Sequence, residues 1–356
     1  GSEMCIRDST KMKKNRYLHL LTLALLVFAA PSLLRAGDKK AVAAGYQFCL
    51  VLKQDGSLWA FGRNDDGQLG DGTTQFRSEP VKVLDHVRQM SAGLFFSMAL
   101  LEDGTLWTWG YNNNGQLGDG TNTSRLRPQK IMDGISDIAA GFAHALAVGN
   151  DGTLWAWGWN YYGQLGDGTA VDRNMPVRVM TGVRQVSAGS YCAAAVKTDG
   201  SLWVWGDDVS EYTDKLPLGS PVKMLDDVRQ VSVGQAHILA VMADGSLMAW
   251  GENIWGQLGT GTTNRGWQNT PVKIMDGVAE ACAGHRHSLV RSNDGSLWGM
   301  GDNSDGQLGL GNRDYQLRPV RIADKVGAFA AGEGFSLWIT PAGELKVTGY
   351  IEHRLN

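Results

Sequence analysis

Proline and cysteine are scarce in this chain, and what is missing narrows its reading early. Nine prolines stand in 356 residues, and six of them (Pro80, Pro128, Pro176, Pro221, Pro271 and Pro319) fall at one recurring position, at or just before the expected start of an outer strand. The four cysteines show no CxxC or comparable metal-ligand spacing, which argues against zinc ribbons and fingers. No cluster of Lys and Arg is present to track a phosphate backbone, so a nucleic-acid surface is not expected. No segment after residue 37 keeps an apolar period of about 3.6 residues, which argues against helical solenoids. No Ser-His-Asp or Cys-His set is tied together by spacing, and no carboxylate stands out from the repeated turns.

One apolar run does exist. "YLHLLTLALLVFAA" (Tyr17–Ala30) follows Lys13, Lys14 and Arg16 and precedes the small residue Ala36. A basic n-region, an apolar h-region and a small-residue cleavage site describe a secretory signal peptide over 12–36. The alternative is an uncleaved membrane anchor, against which stands the run's length, shorter than the roughly 20 residues that span a bilayer. Residues 1–11 read as an assembly scar, and 37–356 as a mature domain that is secreted, periplasmic or at the cell surface. Without residues 1–36 the chain keeps 27 basic and 34 acidic residues, a net charge of −7. Cys49, Cys192 and Cys282 remain, in different repeats, and read as small buried residues without a disulfide.

What is abundant is glycine, at 47 residues, and tryptophan, at 13. A glycine after Ala or Val recurs at Gly45, Gly93, Gly141, Gly189, Gly234, Gly284 and Gly332, at intervals of 48, 48, 48, 45, 50 and 48. A period of this length signals a solenoid or a propeller. Each of the first six repeats carries an Asp-Gly step between apolar runs, from Asp55-Gly56 to Asp294-Gly295. Asp-Gly is a strong hairpin signal, and a type I′ turn with positive φ at both central residues is expected there. The strand after it reads "LWTWG" (Leu106–Gly110) or a relative. Apolar residues on both its faces require cover on both sides. Four antiparallel strands taken seven times give an all-β, seven-bladed β-propeller built from repeats of about 48 residues. Only six outer strands are evident, so either the last blade keeps three strands or residues near Lys39–Gly45 help to close it.

"GRNDDGQLGDGT" (Gly62–Thr73) returns as "GYNNNGQLGDGT" (Gly110–Thr121) and "GWNYYGQLGDGT" (Gly158–Thr169). Its acidic residues do not recur, so it lacks the convergent carboxylates of a calcium site. It has neither the lysine nor the following helix of a phosphate loop. It reads as a structural corner, with Leu69 plugging the blade and Asn64 and Gln68 satisfying loop amides. The combination of "AGxxH", "DGxLWxWG" and "NxxGQLGxG" resembles the regulator-of-chromosome-condensation (RCC1-type) repeat family over residues 38–350. Repeat four departs from it at "DDVSEYTDKLPLG" (Asp207–Gly219), and repeat seven carries no such loop.

With strands A to D in each repeat, the A–B and C–D connections emerge on one face and the Asp-Gly turns on the other. Tyr, Trp and Arg on a rigid ring of loops are residue types that dominate protein interfaces. The varied positions of the first face supply Phe95, Tyr111, Phe142, Trp159, Tyr161, Tyr162, Tyr191 and Trp255 as candidate partner-binding residues, with Trp159, Tyr162 and Trp255 as the preferred anchors. His144, His237 and His287 occupy a slot that elsewhere holds Phe or Cys, which marks it as a packing slot.

The resemblance implies a rigid ring presenting one loop-rich face to a protein partner; exported bacterial relatives in the family include a β-lactamase inhibitory propeller. No cofactor is implied, and a monomer is expected. The alternatives are guanine nucleotide exchange on a small nuclear GTPase, as in the founding member, and a secreted hydrolase or lyase acting across the axis. Even repeats without a long insertion, the signal peptide and the lack of a singled-out carboxylate or His cluster weigh against both.

Overall fold

A computed structural model describes residues 41–207, 219–263 and 267–350. The expected scar and signal peptide, and most of the divergent loop of repeat four, lie outside the described residues. The first repeat forms β1 (Val42–Ala44), β2 (Phe48–Leu52), β3 (Leu58–Gly62) and β4 (Arg77–Leu84), an antiparallel sheet in sequence order. The second gives β5 (Val87–Ala92), β6 (Phe96–Leu101), β7 (Leu106–Gly110) and β8 (Arg125–Met132). Four more blades follow over 135–180, 183–225, 228–275 and 278–323, and a seventh of three strands over 329–349. No α-helix occurs among the described residues.

Both faces of β7 are covered, as its sequence requires. Leu106 packs with Leu117, Ile138 and Trp157 toward blade 3, while Trp107 and Trp109 pack with Leu50, Leu58 and Leu69 of blade 1. Trp109, Trp157 and Trp205 are fully buried. Their neighbours Trp107, Trp155 and Trp203, expected to be equally enclosed, are half-buried. They stand next to the outer turn, where the Trp107 indole N–H donates to Thr105 Oγ1 at 2.9 Å.

The Asp-Gly turns differ from the expected type I′. Gly56 N–H closes a turn on Lys53 O at 3.1 Å, which makes Gln54 and Asp55 the central residues. Neither has a positive φ; Gly56, at +78°, follows them. The Asp55 carboxylate accepts from Ser57 N–H at 2.9 Å and from Ser57 Oγ, which satisfies the turn without a left-handed aspartate. The outer strands also begin earlier than expected, three residues before Pro80 and Pro128. Proline is tolerated there because these strands are edges.

The repeated loop is the corner its sequence suggests. Asn64 Oδ1 accepts from Leu69 N–H and Gln68 Oε1 from Asp66 N–H, both at 2.9 Å. Asn112, Asn160, Asn253 and Asn303 repeat the first bond. Leu69 is wholly buried at the seam with blade 2. On the opposite face, five of the six outer strands end in an exposed ion pair at i,i+3: Lys82–Asp85, Lys130–Asp133, Lys223–Asp226, Lys273–Asp276 and Arg321–Asp324.

The seven recurring glycines line a narrow axial cavity of about 110 Å³. A Cβ on Gly93 would lie 2.6 Å from Gly141 O, and one on Gly45 2.7 Å from Gly93 O. The blades approach the axis so closely that only a residue without a side chain fits. Among the described residues the ring closes by packing rather than by a shared sheet. Val42, Cys49 and Val51 of blade 1 meet Phe335, Leu337 and Ile339 of blade 7, and β1 pairs with β2. Of the two closures open in the sequence, the described residues show the three-stranded blade.

Candidate aromatic face

The A–B and C–D loops of each blade are tied together by backbone hydrogen bonds, such as Tyr111 N–H to Phe95 O at 3.0 Å and Trp159 N–H to Ala143 O at 2.8 Å. Neighbouring blades are tied likewise: Phe142 N–H donates to Gly189 O at 3.0 Å and His285 N–H to Gly332 O at 3.0 Å. These bonds hold the varied side chains on a fixed rim.

The eight candidate residues all stand on this face, but not as one arc. Phe142, Trp159, Tyr161, Tyr162 and Tyr191 form one continuous cluster over blades 3 and 4. Its ring centroids are 5.0 Å apart for Tyr161–Tyr162, 5.1 Å for Tyr162–Tyr191 and 5.4 Å for Trp159–Tyr162. Phe142 reaches Trp159 at 6.0 Å and Tyr191 at 6.4 Å. Phe95 and Tyr111 form a second group with Tyr46, where the Arg63 guanidinium lies 5.0 Å from the Phe95 ring and 5.1 Å from that of Tyr46. Trp255 forms a third, edge-on to Tyr315 at 5.4 Å and beneath Arg286 at 5.0 Å. Of the eight, Tyr161 is the exposed one, at 66%; Trp159, Tyr162 and Trp255 are half-buried against the other rings.

Two residues escaped the sequence reading. Tyr315 lies at the end of a C–D loop, outside the positions that flank the loop asparagine. Ile254 directly follows Asn253 and had a positional signal, but it is aliphatic. Both are exposed.

The polar side of the face lies at blades 6, 7 and 1. Burial raises the carboxyls of Asp305 and Glu333 above their usual range; Asp302 adds to the first, and Arg286 partly offsets both. Burial lowers His285 to about 4, reinforced by Arg286. His144, His237 and His287 are fully buried in the packing slot. Among the described residues no group of three or more His, Cys, Asp or Glu is placed to hold a metal ion. Cys49, Cys192 and Cys282 are all free thiols.

An RCC1-like domain model matches residues 29–213, and models of the regulator of chromosome condensation (RCC1) repeat match 244–291 and 294–339, and 228–257 and 278–307. No curated protein matches the sequence significantly. Among solved structures, human WBSCR16 is similar with a TM-score of 0.75 at 24% identity, over 89% of this chain and 88% of that one. Yeast RCC1 (Prp20) bound to Kap60 gives 0.73 at 22% identity, over 86% and 79%. Prp20p from Saccharomyces cerevisiae, described with its binding properties to Gsp1p and histones, gives 0.72 at 22%, over 88% and 82%.

Proposed function

Because the chain belongs to the regulator of chromosome condensation (RCC1) repeat family, we propose that it is an exported protein-binding module whose A–B/C–D face docks a protein partner. The observation that carries this reading is the cluster of five aromatic rings across blades 3 and 4. Rings that brace one another lose little freedom on binding, which suits them as anchors. On the opposite face, five outer-strand ends hold their charge in local Lys–Asp and Arg–Asp pairs. Kap60, Gsp1p and histones, with which the Prp20 structures are described, are proteins, which supports the same class of role. The basic, apolar and small-residue order of residues 12–36 supports export, and the mature domain acts as a monomer in this reading.

The test begins with the full chain as bait against the extracellular proteins of its host. With the captured partner, Trp159→Ala and Tyr162→Ala should each weaken binding by about 2 kcal/mol or more, the threshold of an anchor. Lys273→Ala on the opposite face should change it by less than about 0.5 kcal/mol. The reverse pattern would assign binding to the other face.

A further inference from the structure

Six of the seven blade seams pack apolar residues from an outer strand. Val83 and Leu84 do so between blades 1 and 2, Ile131 and Met132 between blades 2 and 3, and Ile274 and Met275 between blades 5 and 6. Among the described residues, the cluster between blades 7 and 1 holds none from an outer strand. Trp107, Trp155 and Trp298 each belong to the cluster that such a pair joins. Trp59, the matching residue of blade 1, does not join the cluster of its seam. The third strand of blade 7, Leu345–Gly349, is nevertheless shaped to pair on its outer side. Its "LKVTG" keeps the leucine and glycine of "LWTWG", and Gly349 has a φ of +98° where Gly110 has +105°. In blade 2 that glycine pairs with Arg125 of the outer strand.

The repeat pattern points to the occupant. Two residues separate an outer strand from the inner strand of the next blade, as between Leu84 and Val87 or Met132 and Ile135. By that rule the outer strand of blade 7 lies in the chain just ahead of β1. Pro31 stands there, 14 residues before Gly45, where the six outer-strand prolines each stand 13 before their glycine. Leu33-Leu34 follows it as an adjacent apolar pair, as Val83-Leu84 follows Pro80. This pair lies two residues farther from its glycine than Val83-Leu84 does, a difference that a longer link absorbs. The RCC1-like domain match also reaches back to residue 29.

We propose that residues 31–39 are the fourth strand of blade 7, and that the leader is cut ahead of Pro31 rather than after Ala36. The cut rests on the reading of the chain as exported; the strand does not. A chain starting at Gly37 keeps four residues before Ala41, about 14 Å of extended backbone. Crossing three strand spacings to the outer position uses about 14 Å, so nothing would remain to pair. Val27-Phe28-Ala29 ends the apolar run on a small residue and supplies the earlier cleavage site. A signal peptidase of the host hydrolyses the Ala29–Ala30 amide there. Water gives its hydroxyl to the Ala29 carbonyl carbon and a proton to the Ala30 nitrogen.

The full chain is expressed in a host with a secretory pathway, and the exported product is followed by N-terminal sequencing and amide hydrogen exchange. The expected first residue is Ala30. The consecutive amides of Lys346, Val347 and Thr348 should all exchange slowly, as in a strand paired on both sides. Replacing Leu33 and Leu34 together by Asp should speed their exchange about tenfold or more and lower the melting temperature by about 4 °C or more. A product starting at Gly37, or one in which every second amide of Leu345–Gly349 exchanges freely, overturns the inference. If the chain is neither cut nor exported, the export reading falls and takes the cut with it. Exchange in the purified full chain then decides the strand: three slow consecutive amides support it, and alternation refutes it.

Discussion

His237 Nε2 and Ser288 Oγ lie 2.8 Å apart across the seam between blades 5 and 6, and a third group sets the direction of their hydrogen bond. The serine hydroxyl donates to Gln257 O at 2.8 Å, so it accepts from the histidine. His237 therefore carries its proton on Nε2, and its Nδ1 is left without a partner. His287 makes the same contact with Ser336, again at 2.8 Å. His144 does not. The matching residue of the next blade is Ala193, and both nitrogens of His144 are buried without a partner.

That difference predicts two stabilising substitutions that compete. His144→Phe should raise stability by about 1 kcal/mol, because it removes buried unmet groups from a slot that holds Phe48, Phe96 and Phe335 elsewhere. Ala193→Ser should stabilise the parent by supplying the missing hydroxyl, as Ser288 does for His237. In the His144→Phe background that gain should vanish. Urea unfolding of the four proteins of the cycle measures the coupling, and simple additivity would refute the account.

Acid should destabilise the protein well before its carboxylates are neutralised. Burial holds His144 and His237 at about 3 and His287 at about 4, and neighbouring histidines add to the effect on the latter two. In the unfolded chain each titrates near 6.5. The stability they contribute is fully present above about pH 6.5 and falls as pH drops, since the unfolded chain takes up protons that the folded one refuses. The loss approaches about 1.4 kcal/mol per pH unit for each histidine between roughly pH 6 and 4. Unfolding free energies across this range should show a shallower slope in His144→Phe, by about one proton.

At the seams between blades 1 and 2, 2 and 3, and 3 and 4, a tryptophan indole bonds the preceding loop. Trp109 Nε1 donates to Gln68 O at 2.9 Å, Trp157 to Gln116 O at 2.9 Å and Trp205 to Gln164 O at 2.8 Å. Trp157→Ala should cost about 3–5 kcal/mol, and a change below about 1 kcal/mol would deny that this seam is core. Gly118→Ala should destabilise as well. Its φ is +74°, and a Cβ there would lie 2.7 Å from the Trp157 indole nitrogen. A neutral result in thermal unfolding would contradict that close approach.

The seam between blades 7 and 1 lacks this bond, because the matching residue of blade 1 is Phe61, which has no N–H on its ring and packs on the apolar cluster of that seam. Phe61→Ala should cost less than Trp157→Ala, since Phe61 is only half-buried. Deleting residues 41–44 removes β1 and exposes Cys49 and Val51. The melting temperature should then fall by about 4 °C or more. An unchanged value would mean that the seam does not hold the ring.

The repeat grammar made most of the fold legible. The 48-residue interval gives the blade count, and Trp109 and Thr108 on opposite faces of one strand announce neighbours on both sides. Other features were not legible because they depend on position along the radius. "LWTWG" does not show that Trp107 sits at an open turn while Trp109 sits under a loop. Asp-Gly alone does not distinguish a left-handed aspartate from one that bonds the next hydroxyl. The candidate residues were legible by face but not by grouping. Tyr162 and Tyr191 meet through two different loops of neighbouring blades, and Glu333 joins Asp305 across the seam between blades 6 and 7.

The outer-strand ion pairs have a further consequence for a molecule tumbling in solution. Lys82 with Asp85, and Lys273 with Asp276, cancel locally, so beyond a Debye length of about 10 Å these pairs add little to the field of their side, which is left to the turn carboxylates. The exposed turn aspartates Asp55, Asp103, Asp151, Asp199, Asp244 and Asp294 stand one in each of the first six blades around that rim. A positively charged body drifting toward this side meets a ring of similar charge, whichever of those blades it reaches first.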